Sequence, residues 1–318
     1  MKSIIRQTIL GWICMAGLSV QAFAQAPLVI YGLKGPSGIG MIRLFENPPS
    51  IQGFTVKVEA LAQADLLAAK FIAQEAKVGV LPPNVAAKIA ASGKPVQIAA
   101  VLGNGMLSLL SSDPSIKRIE DLKGKTVEIA GQGATPDYVF RRLLITKGLN
   151  PDKDVVLNYS LAYPEIAQSL IAGRASTALL PEPFATMAKS GRSSLQQIGD
   201  IQEEWVKAGG AANYPMTVLV VDADFARTRP DALRIIMNAF RSSIEWVVAH
   251  PAEAGVLTEK HELGLRAAVV RDSIPRSNFM FTPAVQARPA IEALFKAFLE
   301  FSPVSIGGAL PKDSFYLP

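Results

Sequence analysis

The chain has 318 residues, with 32 lysines and arginines against 27 aspartates and glutamates and two histidines, giving a net charge of +5 at neutral pH. This excess is small and dispersed, which excludes the clustered basic footprint of a nucleic-acid binder. Hydrophobic residues make up 49% of the chain and cysteine occurs once, so stability is expected from an ordinary apolar core, without disulfides or a zinc-thiolate site.

Lys2 and Arg6 precede an apolar run from Ile9 to Val20, and Ala22-Phe23-Ala24 has the small-x-small spacing of a signal-peptidase site. The run is shorter than the ~20 residues of a membrane span, so residues 1–24 are expected to be a cleaved secretory signal peptide. Cys14 leaves with it, since Gly11-Trp12-Ile13 lacks the small residues of a lipoprotein cleavage site. Loss of Lys2 and Arg6, with no acidic residue, brings the net charge to +3.

The next segment, "LVIYGLKGPSGIGMIRLF", reads as a strand, a glycine loop and a helix with Pro36 in its first turn, where the missing N–H has no intrahelical acceptor to lose. A helical pattern "DLLAAKFIAQEA", a strand "VGVL", a stopping proline and a helix "NVAAKIAAS" ending at Gly93 follow. "VQIAAVL" is a further strand, and "MLSLLSS" (Met106–Ser112) leads onward.

The same order then recurs. "TVEIAGQGATPDYVFRRLL" is again strand, glycine loop and helix, now with Pro136, and "EIAQSLIAGRA", "TALL" and "PFATMAKS" match the later pieces. Phe71–Pro82 aligns on Leu170–Pro181 with Ile72/Ile171, Ala73/Ala172, Ala76/Ala175, Leu81/Leu180 and Pro82/Pro181 identical. "MTVLVVDADF" (Met216–Phe225) leads out of this unit, and helices from Pro230 to about Ser302 have no strand-rich partner of their own.

Two β-α-β-α-β-α units predict an α/β fold with two mainly parallel sheets flanked by helices and ligands at the carboxyl ends of the strands. The last helices are expected to return to the first unit. Residues 25–110 plus 221–318 would form a discontinuous lobe 1, and residues 111–220 lobe 2, joined by a hinge of two crossing segments.

"LKGPSGIG", "SIKRIEDLKGKTVEIAGQGATPDY", "LPEPFA", "FARTRPDALRIIMNAFRSSIEW" and the ending "GALPKDSFY", together with the leader, resemble the substrate-binding proteins of ABC importers in the nitrate, sulfonate, taurine and thiamine-precursor group. The resemblance covers essentially the whole mature chain. It implies the type II periplasmic-binding-protein fold and a monomer that closes on a small-molecule solute and delivers it to an inner-membrane ABC permease with its ATPase. Family members commonly carry Asp just before the repeated strand, where this chain has Lys77 and Ser176. The "LPPN" and "LPEP" loops are expected to face each other across the cleft.

The candidate ligand-binding residues come from the loops after the strands. Lys34, Gly35 and Ser37 lie at one helix start and Gly133, Ala134 and Thr135 at the other, where unpaired N–H groups attract an anionic or carbonyl-bearing group. Lys34 read alone is equally a solvated lysine on a tight turn. Thr135 can cap its helix, bind ligand, or do both. Asn84 can cap the helix it begins, and Glu182 can bind an amine or bridge the lobes. Asn104, in Gly103-Asn104-Gly105, offers an amide or is part of a plain turn, and Tyr214 is a wall for a flat ligand. Trp205 and Trp246 read as packing. This inventory suits a sulfonate, nitrate, taurine or a pyrimidine-like heterocycle.

No cofactor, metal site or catalytic residue is expected. A relative of the group is a thiamine-pyrimidine synthase that consumes its own histidine, but His250 and His261 read as helix-end and surface positions. A periplasmic sensor subunit would use the same fold and pocket.

Overall fold

The computed structural model describes residues 26–318; the expected signal peptide and Cys14 lie outside the described residues. The first unit runs β1 (Ala26–Leu33), helices Pro36–Gly40 and Ile42–Glu46, β2 (Phe54–Leu61), helix Ala64–Ile72, β3 (Val78–Leu81) and helix Pro83–Ala91. β4 (Val96–Asn104) and β5 (Leu107–Ser111) follow. The second unit repeats the order with β6 (Thr126–Glu128), helix Thr135–Thr146, β7 (Val156–Asn158), helix Tyr163–Ile171, β8 (Thr177–Pro181) and helix Phe184–Gly191. After β9 (Gln196–Gln197), helix Ile201–Lys207 and β10 (Pro215–Asp222) come five helices between Ala223 and Leu299, with β11 (Phe279–Pro283) before the last.

The strands form two sheets, β11-β4-β10-β3-β1-β2 and β7-β6-β8-β5-β9. In each, the three strands of one repeat are mutually parallel, and the next strand inward is antiparallel and arrives from the other half of the chain: β10 beside β3 and β5 beside β8. This exchange ties the sheets together. The chain leaves the first sheet at Gly105-Met106 and returns at Asn213-Tyr214.

The repeated strands are short, apolar and wholly buried. Gly79 in β3 is small for a packing reason, because a Cβ there would sit 3.1 Å from Leu67 and 3.2 Å from Phe71 on the covering helix. Ala178 takes the equivalent place in β8. Gly93 follows the end of helix Pro83–Ala91 at φ 82°, in the left-handed region that favours glycine. Gly191 does something different: it is the last residue of its helix, pressed against Ile171.

Two sequence expectations change here. The C-terminal region does contribute a strand, since β11 adds antiparallel to β4 at the edge of the first sheet. Gly103 and Asn104 form the end of β4 rather than a plain turn, and pair with Thr217 and Pro215 as β10 begins. Lys77 meets the buried carboxylate of Asp222 at 3.4 Å, and Asp222 in turn caps the following helix at the Phe225 amide. At the equivalent position, the Ser176 carbonyl accepts the Ser112 amide.

Candidate functional site

The glycine loops lie where the two sheets face each other, and each meets the repeat loop of the opposite half. Asn84 is fully buried. Its amide donates to the Gly133 carbonyl at 2.8 Å and the Ser305 carbonyl at 3.3 Å, while its Oδ1 accepts from the Thr135 hydroxyl at 2.9 Å. Pro82 holds the N-cap position and Asn84 lies inside the first turn, so the side chain is free to bridge rather than cap.

The reciprocal contact joins Gly35 to Phe184. Gly35 has φ 115°, and a Cβ there would lie 3.2 Å from the Phe184 ring. Phe184 stacks on Tyr163, with centroids 5.9 Å apart, and the Tyr163 hydroxyl donates to the Ala130 carbonyl. Burial pushes the Tyr163 phenol up, keeping it a neutral donor.

Glu182 bridges the halves. Its Oε2 accepts from the Thr186 amide (3.1 Å) and hydroxyl (2.6 Å), and its Oε1 accepts from Arg276 Nε at 3.1 Å. Arg276 also donates to the Thr186 hydroxyl at 2.7 Å. Glu182 thus pairs with Arg276 from the helical C-terminal part of the chain, 94 positions away. The repeat loops therefore engage the opposite glycine loop, in the case of "LPPN", and Gly35 and Arg276, in the case of "LPEP".

Other candidates fall elsewhere. The Lys34 side chain is exposed, and Ser37 is engaged with its own strand, exchanging hydrogen bonds with the Leu33 amide and carbonyl. Asn104 is buried, with its amide against Met280 Sδ. Tyr214 does not form an open wall: it is fully buried and tilted against Trp205 with centroids 5.4 Å apart. It packs on Gly105 at the crossover, where Asn213 Oδ1 accepts the Gly105 amide and Asn278 Nδ2 donates to the Gly105 carbonyl. Ala134 is the N-cap residue of helix Thr135–Thr146, and Gly133 donates its amide to Asp137.

Sequence reasoning missed Lys88, Asp137, Arg276, Tyr163 and Phe184. The buried Asp137 carboxylate collects the Gly133 amide, Arg141 Nε and the Tyr159 hydroxyl, which fixes the shape of the second glycine turn. A groove of about 640 Å³ runs along helix Thr135–Thr146 and the loop after it, lined by Gln132, Asp137, Arg141, Asn150 and Asp152 among others, with Phe301 and Ser302 at its edge. Lys88 approaches the second glycine turn from the first lobe, with Nζ 3.5 Å from the Gly133 carbonyl.

Among the described residues, no group of three or more His, Cys, Asp or Glu side chains is placed to hold a metal ion, and no helix is long and apolar enough to cross a membrane. His261 contacts Glu46 at 2.8 Å, and His250 stacks on Trp246.

Residues 52–254 match the model of the family described as NMT1/THI5 like. An ABC transporter structure from Parabacteroides distasonis is 26% identical, with 92% of this chain and 99% of that one covered and a TM-score of 0.76. The periplasmic aliphatic sulphonate-binding protein SsuA of Escherichia coli is 15% identical over 87% and 88% of the two chains, with a TM-score of 0.68. The nitrate-binding protein NrtA of Synechocystis PCC 6803 is 12% identical over 89% and 84%, with a TM-score of 0.67. No curated protein matches the chain significantly. The two exchanged-strand sheets are thus those of the two-lobed periplasmic binding proteins, and the chain belongs to the NMT1/THI5-like family.

Proposed function

We propose that this protein is the periplasmic solute-binding component of an ABC importer. It captures a small polar organic solute between its lobes and presents the closed form to a membrane permease. The crossovers at Gly105-Met106 and Asn213-Tyr214 divide the chain into lobe 1, residues 26–105 and 214–318, and lobe 2, residues 106–213, rather than at the expected 110 and 220. The observation that carries this reading is the reciprocal bonding of the repeats: Asn84 of lobe 1 reaches the glycine turn of lobe 2, and Glu182 of lobe 2 reaches Arg276 of lobe 1. Contacts of this kind exist only when the lobes are together, so a solute held by both shifts the population toward the closed state. The known names of the structural neighbours, sulphonate- and nitrate-binding proteins, support the same class.

Native mass spectrometry of the protein released from the periplasm tests the reading. A small-molecule adduct that is lost on unfolding and refolding is expected, with a smaller radius of gyration for the loaded form. A protein that stays in the cytoplasm, or whose dimensions do not respond to any carried-over solute, would contradict it.

Arg276→Ala isolates the bridge. The guanidinium is half exposed, which limits its worth to about 1 kcal/mol, or roughly fivefold in closing. Single-molecule energy transfer between dyes on the two lobes should show a correspondingly larger open population; an unchanged distribution would remove the bridge from the closing equilibrium.

A further inference from the structure

We propose that Arg142 is the positioning residue of a second interlobe clasp, in which one guanidinium of lobe 2 holds the last turn of helix Ala284–Leu299 of lobe 1 in the closed form. The proposal deepens the solute-binding reading and rests on it.

The lobes meet along two flanks. Alternation along the strands separates them: Val218 and Val220 of β10 join one core, and Leu219 and Val221 turn to the other face. The first core crosses the lobe boundary, from Ile291 and Phe298 on helix Ala284–Leu299 to Val139 and Leu143 on helix Thr135–Thr146. A separate core joins Phe184 and Ala185 of lobe 2 to Val270 and Ile274 of lobe 1. The Glu182–Arg276 pair belongs with this separate core, being close in sequence to Phe184 and Ile274. A contact there leaves the first flank to other groups.

Arg142 stands on the first flank, on helix Thr135–Thr146, with its side chain only 13% exposed. Nη1 donates to the Ala297 carbonyl at 3.3 Å and to the Glu300 carboxylate, and Nη2 donates to the Ala208 carbonyl at 3.1 Å. Ala297 and Glu300 belong to the end of helix Ala284–Leu299, where Glu300 is the C-cap; Ala208 is the C-cap of helix Ile201–Lys207. The last carbonyls of a helix have no partner within it and carry partial negative charge. One guanidinium thus serves two helix ends that belong to different lobes.

The surroundings divide in the same way. The Trp205 ring, with its centroid 5.8 Å from the guanidinium carbon, keeps the group in place from lobe 2. One turn earlier on the same helix face, Tyr138 meets Phe298 of lobe 1 with ring centroids 5.4 Å apart. When the lobes part, Ala208 and Trp205 stay with Arg142, while Ala297 and Glu300 leave. The clasp therefore acts on closing rather than on the folding of lobe 2. A planar fork suits this task; a lysine ammonium keeps the charge but cannot span both helix ends.

Single-molecule energy transfer between dyes on the two lobes of the refolded protein tests this with Arg142→Lys, Glu300→Gln and the double variant. Arg142→Lys should raise the ratio of open to closed molecules about tenfold, the scale of lost hydrogen bonds to a charged group. Glu300→Gln removes a mostly exposed partner and should raise it about threefold. The double variant should stay well below the product of the two, since Glu300 acts through the guanidinium. If Arg142→Lys does not fold, Glu300→Gln carries the test alone. Unchanged distances in both single variants, with only a lowered melting temperature in Arg142→Lys, would make Arg142 a packing residue of lobe 2 and overturn the proposal. If the wild type nevertheless compacts with its carried-over solute, the solute-binding reading stands; if neither solute nor variant changes the distance, both fail.

Discussion

Asn84→Ala is expected to move the closing equilibrium toward the open state by about 2 kcal/mol, roughly thirtyfold. The amide group makes two bonds into lobe 2, one given to the Gly133 carbonyl and one accepted from the Thr135 hydroxyl, in a site closed to water. Removing it strands both partners in the closed state. In the open state water can satisfy them, so the loss falls mainly on closing rather than on folding. A solute that binds the closed form should bind the variant more weakly by the same factor, up to the extent that closure limits affinity. Interlobe energy transfer and calorimetry together check this; a variant with unchanged lobe distances would show that Asn84 serves only its own helix and the Ser305 carbonyl.

Gly105→Ala should cost about 3 kcal/mol of folding stability. A Cβ there would lie 2.5 Å from Tyr214 Cζ and 2.4 Å from Gln202 Oε1. The glutamine can swing away. The tyrosine ring cannot, because it is fully buried and tilted against Trp205. The crossover strand would have to shift, disturbing its bonds to Asn213 and Asn278. Thermal denaturation should show a fall of several degrees, which Gln202→Ala should not restore. Full recovery in the double variant would mean that the amide, not the ring, is the obstacle.

The architecture was largely legible because the repeat carries period and punctuation together. "VGVL" and "TALL" are short apolar runs bounded by helical patterns and proline, and both are buried strands with a parallel neighbour on one side and an antiparallel one on the other. Met106–Ser112 and Met216–Phe225 were readable as the segments that connect the units, but not as strands that join the opposite sheet. β11 was missed because "FMFTP" sits between a helical turn and a long helix, and its partner β4 lies far away in sequence.

The site was less legible, since its contacts depend on how the lobes meet. Asn84 after a proline looks like a cap, and only the structure places Pro82 at the N-cap. Lys88 is one charge in an alanine-rich helix and reads as a solvated face. Arg276 meets Glu182 across 94 positions of sequence, without a motif to announce it. Tyr214 looked like a ligand wall because an aromatic beside a hinge strand suits either role, and burial against Trp205 decided between them.

The most direct test of solute capture is a thermal-shift screen of the unfolded and refolded protein against sulfonates, nitrate, bicarbonate, taurine, amino acids and thiamine-related pyrimidines. A ligand present at about 100 times its Kd adds ~2.7 kcal/mol to stability, which for a chain of this length is a rise of several degrees. One responding chemical class is the predicted result. A well-folded protein that responds to none of them would contradict the account.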